Sequence, residues 1–433
     1  MLSDPPPAGP TPKAPPLLPL WAAVPAPRFV GGNTVELLQG GDKLFPRLCQ
    51  AINAAQHEVW LATYIFHIDR ATEVVIDAMT AAAARGVAVH VVVDGFGCLA
   101  DLPQLRARLQ PAGVRLEVFR PLDRWYAWLQ PGQLRRLHQK LCACDGEVAF
   151  VGGINLIDDC HDLNHGWTET PRLDWAVAVR GPLATAVQAT TQAMWLRAQL
   201  GHGWRRELRA LVKSRSPLDR TRDLLRRLRV QRLPVLGADD TQAVRAAFVV
   251  RDNLRQRRTI ERSYVQALRG AERRIDIAVP YFYPGRTFRR ALRSAAQRGV
   301  QVRLLLQGKA DYRIAALAAQ VQYEEMRRHG IRVFEYTPAF LHAKVAVVDD
   351  DWATVGSSNI DPLSLLLNLE ANVVVRDEAF ACELAARMDA AFAVSLEVTA
   401  LPPQSGWRGW MRRALVAWVA QIYLRVAGIT GRY

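Results

Sequence analysis

The sequence predicts an α/β protein in which one chain carries two similar lobes. Three observations predict it. The chain has 433 residues, half of them apolar and 22% charged, enough for two domains each with a buried core. An apolar strand–helix–strand pattern occurs twice. A cluster of chemistry-bearing residues also occurs twice, with the same internal spacing.

Taken in order, residues 1–27 are rich in proline, which leaves neither helix nor strand easy to form, and they read as a disordered leader without the pattern of a signal peptide. The aromatic and β-branched run Val59–Phe66 reads as a buried strand, followed by a helical stretch to Arg85 and a second strand, Val87–Val93. Such a unit implies a right-handed crossover in a largely parallel sheet. The order recurs as strand Ile275–Phe282, helix Arg286–Arg298 and strand Val300–Leu306. The turns match as well, Arg85-Gly86-Val87 against Arg298-Gly299-Val300, each ending a helix on glycine. The first lobe is therefore set at 28–203 and the second at 246–398. Between them, 204–245 is dense in arginine and contains Ser216-Pro217 and Leu233-Pro234, the marks of a linker. Its leucines fall near helical spacing beside arginines, which fits either a solvated helix or a basic helix lying on an anionic bilayer. Residues 399–433 form a basic, tryptophan-flanked segment.

Lys and Arg exceed Asp and Glu by 56 − 41 = 15, and 50 of the 56 cations are arginine. A polyanion or an anionic surface is the expected partner. The six cysteines (Cys49, Cys98, Cys142, Cys144, Cys160, Cys382) have no C-x-x-C spacing and are too few for a disulfide framework, so a reducing compartment is expected. No uninterrupted run of about 18 apolar residues marks a transmembrane helix.

Two segments carry the chemistry. The first is Leu137-His138-Gln139-Lys140 with Asp145, Gly152-Gly153 and Asn155; the second is Leu341-His342-Ala343-Lys344 with Asp349, Gly356-Ser357 and Asn359. In each, Lys follows His by two positions, Asp by seven, Gly by fourteen and Asn by seventeen. Two of only six lysines stand at these places. Residues two apart on an extended segment point to one side, so imidazole and ammonium converge on one ligand. Two such pairs face to face suit a phosphodiester: one imidazole attacks phosphorus, the other protonates the leaving oxygen, and the lysines neutralise the non-bridging oxygens. No metal or other cofactor is expected. Asn155 and Asn359, with backbone N–H groups around Gly153 and Ser357, are candidate phosphate donors. Asp174 and Glu370 each lead an apolar strand ending in Arg, and each is a candidate to hold the non-reacting nitrogen of an imidazole.

The duplicated motif resembles the HKD signature of the phospholipase D superfamily. Gly32-Asn33, Arg251-Asp252-Asn253, Tyr281-Phe282, Gln307-Gly308 and Gly356-Ser357-Ser358-Asn359 through Asn368-Leu369-Glu370-Ala371-Asn372 are similar to the bacterial cardiolipin synthases of the B type. The resemblance covers about residues 28–400. It implies two αβα sandwich lobes related by a pseudo-twofold, with the active site at their interface. It implies a phosphatidyl group carried from phosphatidylglycerol on His138 as phosphohistidine, with His342 as general acid and then base, and release of glycerol. Lys140, Lys344, Asp145 and Asp349 carry over as the remaining signature residues, the aspartates as supports of loop or strand geometry. The implied partners are phosphatidylglycerol, other anionic phospholipids and the membrane surface, with the protein peripheral on the cytoplasmic face of the bacterial inner membrane.

Trp125 and Trp128, just before the first motif, and Trp407 and Trp410 near the C-terminus are candidate membrane contacts, since indole rings sit at headgroup depth. A zinc site from Cys142, Cys144, Cys160, His161 and His165 is not supported: the spacing matches no standard set, and the second lobe has Val345 and Val347 in place of the first two cysteines. Hydrolysis by water, of lipid or nucleic acid, is the rival reaction on the same residues. A non-enzymatic basic scaffold would account for the charge but not for the duplicated motif, and no base-stacking aromatics near the motif point to nucleic acid.

Overall fold

The computed structural model describes residues 27–121, 135–163, 165–212, 244–252, 256–309, 323–361 and 368–399, with side chains beyond 200 in the third segment left aside. Trp125, Trp128, Trp407, Trp410, the leader up to residue 26, the linker between 213 and 243, and the C-terminal segment from 400 lie outside the described residues.

The first lobe runs β1 (Val30–Gln39), α1 (Gly41–Ala54), β2 (Glu58–Thr63), α2 (Arg70–Ala84), β3 (Ala88–Asp94), α3 (Leu102–Leu109), β4 (Arg115–Phe119), β5 (Leu141–Cys144), β6 (Val148–Gly152), a short hairpin of β7 (His161–Asp162) and β8 (Gly166–Trp167), β9 (Trp175–Arg180) and α4 (Pro182–Val212). The second runs β10 (Val244–Arg251), α5 (Thr259–Gly270), β11 (Arg274–Ala278), α6 (Arg286–Gln297), β12 (Gln301–Gln307), β13 (Arg332–Tyr336), β14 (Val345–Val348), β15 (Trp352–Gly356), β16 (Glu370–Arg376), α7 (Glu378–Ala393) and β17 (Leu396–Glu397). Helix α4 carries its backbone past the expected lobe boundary at 203.

Fifteen strands form one sheet in the order β17-β13-β12-β11-β14-β15-β16-β10-β1-β9-β6-β5-β2-β3-β4. The order reads the same outward from its middle, where β1 and β10 pair antiparallel through Val30 with Ala246 and Asn33 with Val244. That pairing makes two half-sheets into one and sets the pseudo-twofold.

The two strand–helix–strand units pair in parallel, β2 with β3 and β11 with β12, as the crossover requires. The expectation of a largely parallel sheet is corrected, however. Among the described residues only β2-β3-β4 and β11-β12-β13 are parallel, and every other neighbouring pair is antiparallel. The cause is local. Asp145 and Asp349 take φ of 54° and 51°, and each turns its motif strand back on itself, β5 into β6 and β14 into β15.

Alternation along the strands sorts the core into layers. Trp175, Val177 and Val179 of β9 face α4, while Ala176 and Ala178 face α1 and α2. Val345 and Val347 of β14 join the layer shared with α4 and α7, while Ala346 and Val348 face α5 and α6. Helix α2 starts on a reciprocal cap: Asp69 accepts from Ala71 and Thr72 N–H, and Thr72 Oγ1 accepts from Asp69 N–H. The result is two αβα lobes sharing one apolar layer across the seam.

Candidate active site

The residues before β5 and β14 meet the loops before β16 and β9 of the opposite lobe. Leu137 bridges Leu369, and Leu341 bridges Leu173. His138 N–H donates to Leu369 O at 3.1 Å and His342 N–H to Leu173 O at 2.9 Å, so each motif histidine is pinned by the other lobe's backbone. A second tether holds the preceding residue. Asp94 Oδ2 accepts Leu137 N–H at 2.8 Å, and Gln307 Oε1 accepts Leu341 N–H at 3.0 Å. Asp94 and Gln307 are the last residues of β3 and β12, equivalent positions with different side chains. Sequence reasoning missed both as site residues; their place at the end of a parallel strand beside the motif was the available signal.

The carboxylates cross the seam. His138 Nδ1 is 3.0 Å from Glu370 Oε2, and His342 Nδ1 is 2.6 Å from Asp174 Oδ2. Each imidazole is thus oriented by a carboxylate of the opposite lobe, and each presents Nε2 away from it. Both carboxylates are fully buried. Asp174 Oδ1 accepts Trp175 N–H at 2.8 Å, and Glu370 Oε2 accepts the Ser357 hydroxyl at 2.5 Å. Gln139 adds an amide N–H to Glu370 O at 3.1 Å.

Lys140 Nζ donates to His138 O at 2.9 Å, and Lys344 Nζ donates to His342 O. Both lysines are buried. Burial brings the Lys140 ammonium down to about 8 and the Lys344 ammonium to about 7, although Glu370 and Asp174 act to hold them up. Burial raises Asp174 to about 7 and lowers both imidazoles, His342 the further, with the ammonium groups adding to the fall. His138 feels Lys344, and His342 feels Lys140, so the four groups share one field. The ring of Tyr64, from the end of β2, lies 5.0 Å from the His138 ring and 5.3 Å from Lys140 Nζ. No second copy exists in the other lobe to flag it, and sequence reasoning missed it.

Two placements among the expected site residues need correction. Asp145 and Asp349, set with the catalytic residues by signature, stand beyond β5 and β14, at the opposite ends of those strands from the motif histidines. Asp145 accepts the N–H groups of Gln56, His57 and Glu58 at 2.7 to 3.0 Å, and Asp349 those of Glu272, Arg273 and Arg274 at 2.8 to 3.1 Å. They fasten the starts of β2 and β11, the strand support expected of them, and among the described residues touch no reacting group. Gly153 and Ser357 are not phosphate donors either, because their N–H groups are committed to Trp175 O and Ala371 O, both at 3.0 Å. They serve the carboxylates instead: a Cβ on Gly153 would stand 2.3 Å from Asp174 Oδ1, whereas the longer Glu370 leaves room for Ser357. Asn155 and Asn359 follow as buried amides whose Oδ1 atoms have no hydrogen-bond partner among the described residues.

A family model described as cardiolipin synthase, PLD-like domain, matches residues 48–167 and 264–393. The chain is 34% identical over 380 residues to cardiolipin synthase B of Escherichia coli K12, covering 87% of this chain and 85% of that one. It is 36% identical over 350 residues to cardiolipin synthase B of Salmonella typhimurium, covering 81% and 78%. Among solved structures, phosphatidylserine synthase of Haemophilus influenzae shares the fold, with a TM-score of 0.64, 13% identity and coverage of 92% and 95%.

Proposed function

The chain belongs to the cardiolipin synthase family of the phospholipase D superfamily, a phosphatidyltransferase, and from that premise we propose that His138 and His342 divide the transfer between them. His138 Nε2 attacks the phosphorus of phosphatidylglycerol, while His342, protonated on Nε2, gives its proton to the departing glycerol oxygen. The phosphatidyl group then rests on His138. His342, now neutral, takes the hydroxyl proton of a second phosphatidylglycerol as that oxygen attacks phosphorus. His138 leaves, and cardiolipin is released with both imidazoles restored. Lys140 and Lys344 carry charge opposite the non-bridging oxygens in both steps. Asn155 and Asn359, buried amides whose Oδ1 atoms have no hydrogen-bond partner among the described residues, are assigned to the acceptor hydroxyl through Oδ1 and to phosphoryl oxygen through the amide N–H.

What carries the reading is the exchange of carboxylates across the seam, which orients two imidazoles from different lobes toward one field of two buried ammonium groups. The protein's place is at a membrane surface, since the substrate proposed for it is a membrane lipid; among the described residues no helix is long and apolar enough to cross a bilayer. We assign it to the cytoplasmic face, in keeping with its six cysteines, all of them free. The test is purified protein with phosphatidylglycerol vesicles and mass spectrometry of products. Cardiolipin with equimolar glycerol supports transfer; phosphatidic acid as the main product would show that water, not a second lipid, takes the phosphatidyl group.

A further inference from the structure

Apart from the His–Lys pairs, the first lobe gathers a second set of donors. His67 follows β2, Asp69 caps α2 and His161 opens the β7–β8 hairpin, and one donor atom from each lies within 4.8 Å of the others. All three are held in place. His67 N–H donates to Leu156 O at 2.8 Å and its carbonyl accepts from Thr72 Oγ1 at 2.6 Å. His161 N–H donates to Asp158 O at 3.0 Å and its carbonyl accepts from Arg172 at 2.9 Å.

The two rings stand 4.8 Å apart, and Nδ1 of His161 is buried without a hydrogen bond among the described residues. Nδ1 of His67 is paired with Asp101 Oδ1 at 2.8 Å, which leaves its Nε2 as the nitrogen for a ligand. A buried ring nitrogen left unsatisfied is costly unless something else binds it. Asp69 retains capacity too. Its Oδ1 accepts from Ala71 and Thr72, its Oδ2 accepts only Asp158 N–H, and a carboxylate offers about four lone-pair sites.

We propose that His67, Asp69 and His161 form a zinc-type metal site that fastens the β7–β8 hairpin to the first lobe. Two imidazoles and one carboxylate are a borderline donor set that suits zinc, with a fourth position left for water. Bonds of about 2.0–2.2 Å to one ion would set the donors roughly 3.3–3.5 Å apart, so the cluster closes by about 1.5 Å at most, within reach of side-chain rotation. Asp101 beside His67 is an outer carboxylate of the kind that orients a metal-bound imidazole. The site escaped the sequence because attention fell on Cys142, Cys144, Cys160, His161 and His165, whereas the partner of His161 lies in another loop altogether. Its consequence is mechanical: Trp167 stacks on His161 with the rings 4.9 Å apart and is 66% exposed, so the metal fixes an exposed indole on that hairpin.

The test uses the full chain, stripped with chelator and titrated with zinc chloride by calorimetry, with bound zinc counted after dialysis. One zinc per chain is expected, with the affinity falling at least about 100-fold in His67→Gln and in His161→Gln and staying unchanged in Cys160→Ser and His329→Gln. Zinc should also raise the melting temperature of the wild type and Cys160→Ser, and of neither ligand variant. Asp101→Asn, which leaves all three ligands in place, should weaken binding about 10–100-fold and keeps the test open if a ligand variant does not fold. No zinc retained by the wild type, or unchanged binding in His67→Gln or Asp101→Asn, overturns the proposal. Loss of zinc in Cys160→Ser would equally overturn it, by moving the site to a thiolate.

Discussion

Asp174→Asn removes a single charge from the site while keeping the side chain's shape. Oδ1 of Asp174 is committed to Trp175 N–H, so the amide oxygen must take that position and the NH2 must face His342 Nδ1 where a carboxylate oxygen stood at 2.6 Å. A donor there forces the ring proton onto Nε2 and leaves Nδ1 as the acceptor, so neutral His342 can no longer take the acceptor's proton. The lost charge-assisted bond is itself worth about 1.5–3 kcal/mol, and a wrong tautomer in the serine protease triad costs about 10⁴ in kcat. We therefore expect kcat to fall about 10³–10⁴-fold, about 4–5.5 kcal/mol, with binding of vesicles unchanged. The assay is the initial rate of cardiolipin formation, with circular dichroism to show that the fold is intact. A loss of less than about tenfold in a folded variant would refute the claim that this carboxylate orients His342 from the opposite lobe.

Three further outcomes follow from the geometry. Gly153→Ala places a Cβ 2.3 Å from Asp174 Oδ1 and should cut kcat at least about 100-fold, whereas Ser357→Gly, at the equivalent place, loses one hydroxyl bond to Glu370 and should cost about tenfold; rates of the two purified variants decide it. Lys344 and Lys140 shed protons as pH rises through about 7 and then about 8, so kcat/KM should fall on that side, while the limb set by a neutral His138 lies below 6.5 because burial lowers it; a pH–rate profile with falling activity only above 10 would contradict this. Asp145→Ala removes three solvent-screened bonds and a residue suited to positive φ, so stability should drop by about 1–3 kcal/mol by denaturant unfolding, while turnover per folded molecule stays within a few-fold of wild type.

The motif pairs were legible because chemistry that acts on one phosphorus needs imidazole and ammonium on one side of an extended segment, and a spacing of two with a full second copy states that directly. The crossover units were legible from their apolar runs and the Gly86 and Gly299 ends of their helices. The antiparallel majority of the sheet is less legible: Asp145-Gly146 is a hairpin dipeptide, but the support of loop or strand geometry expected of Asp145 does not by itself state that the strand reverses. Nor could one lobe's pattern tell whether Asp174 serves His138 or His342. That choice depends on β1 pairing with β10, a contact between segments more than 200 residues apart with no sequence signal of its own. The different lengths of Asp174 and Glu370, matched to Gly153 and Ser357, become meaningful only once that pairing is known.

The most direct measurement is single-turnover reaction with labelled phosphatidylglycerol, quenched in alkali, followed by peptide mapping of the protein-bound label. Label on the peptide carrying His138, lost in His138→Ala, is the expected result. Label on neither motif histidine while cardiolipin still forms would contradict the account, and label on His342 alone would reverse the roles assigned to the two lobes.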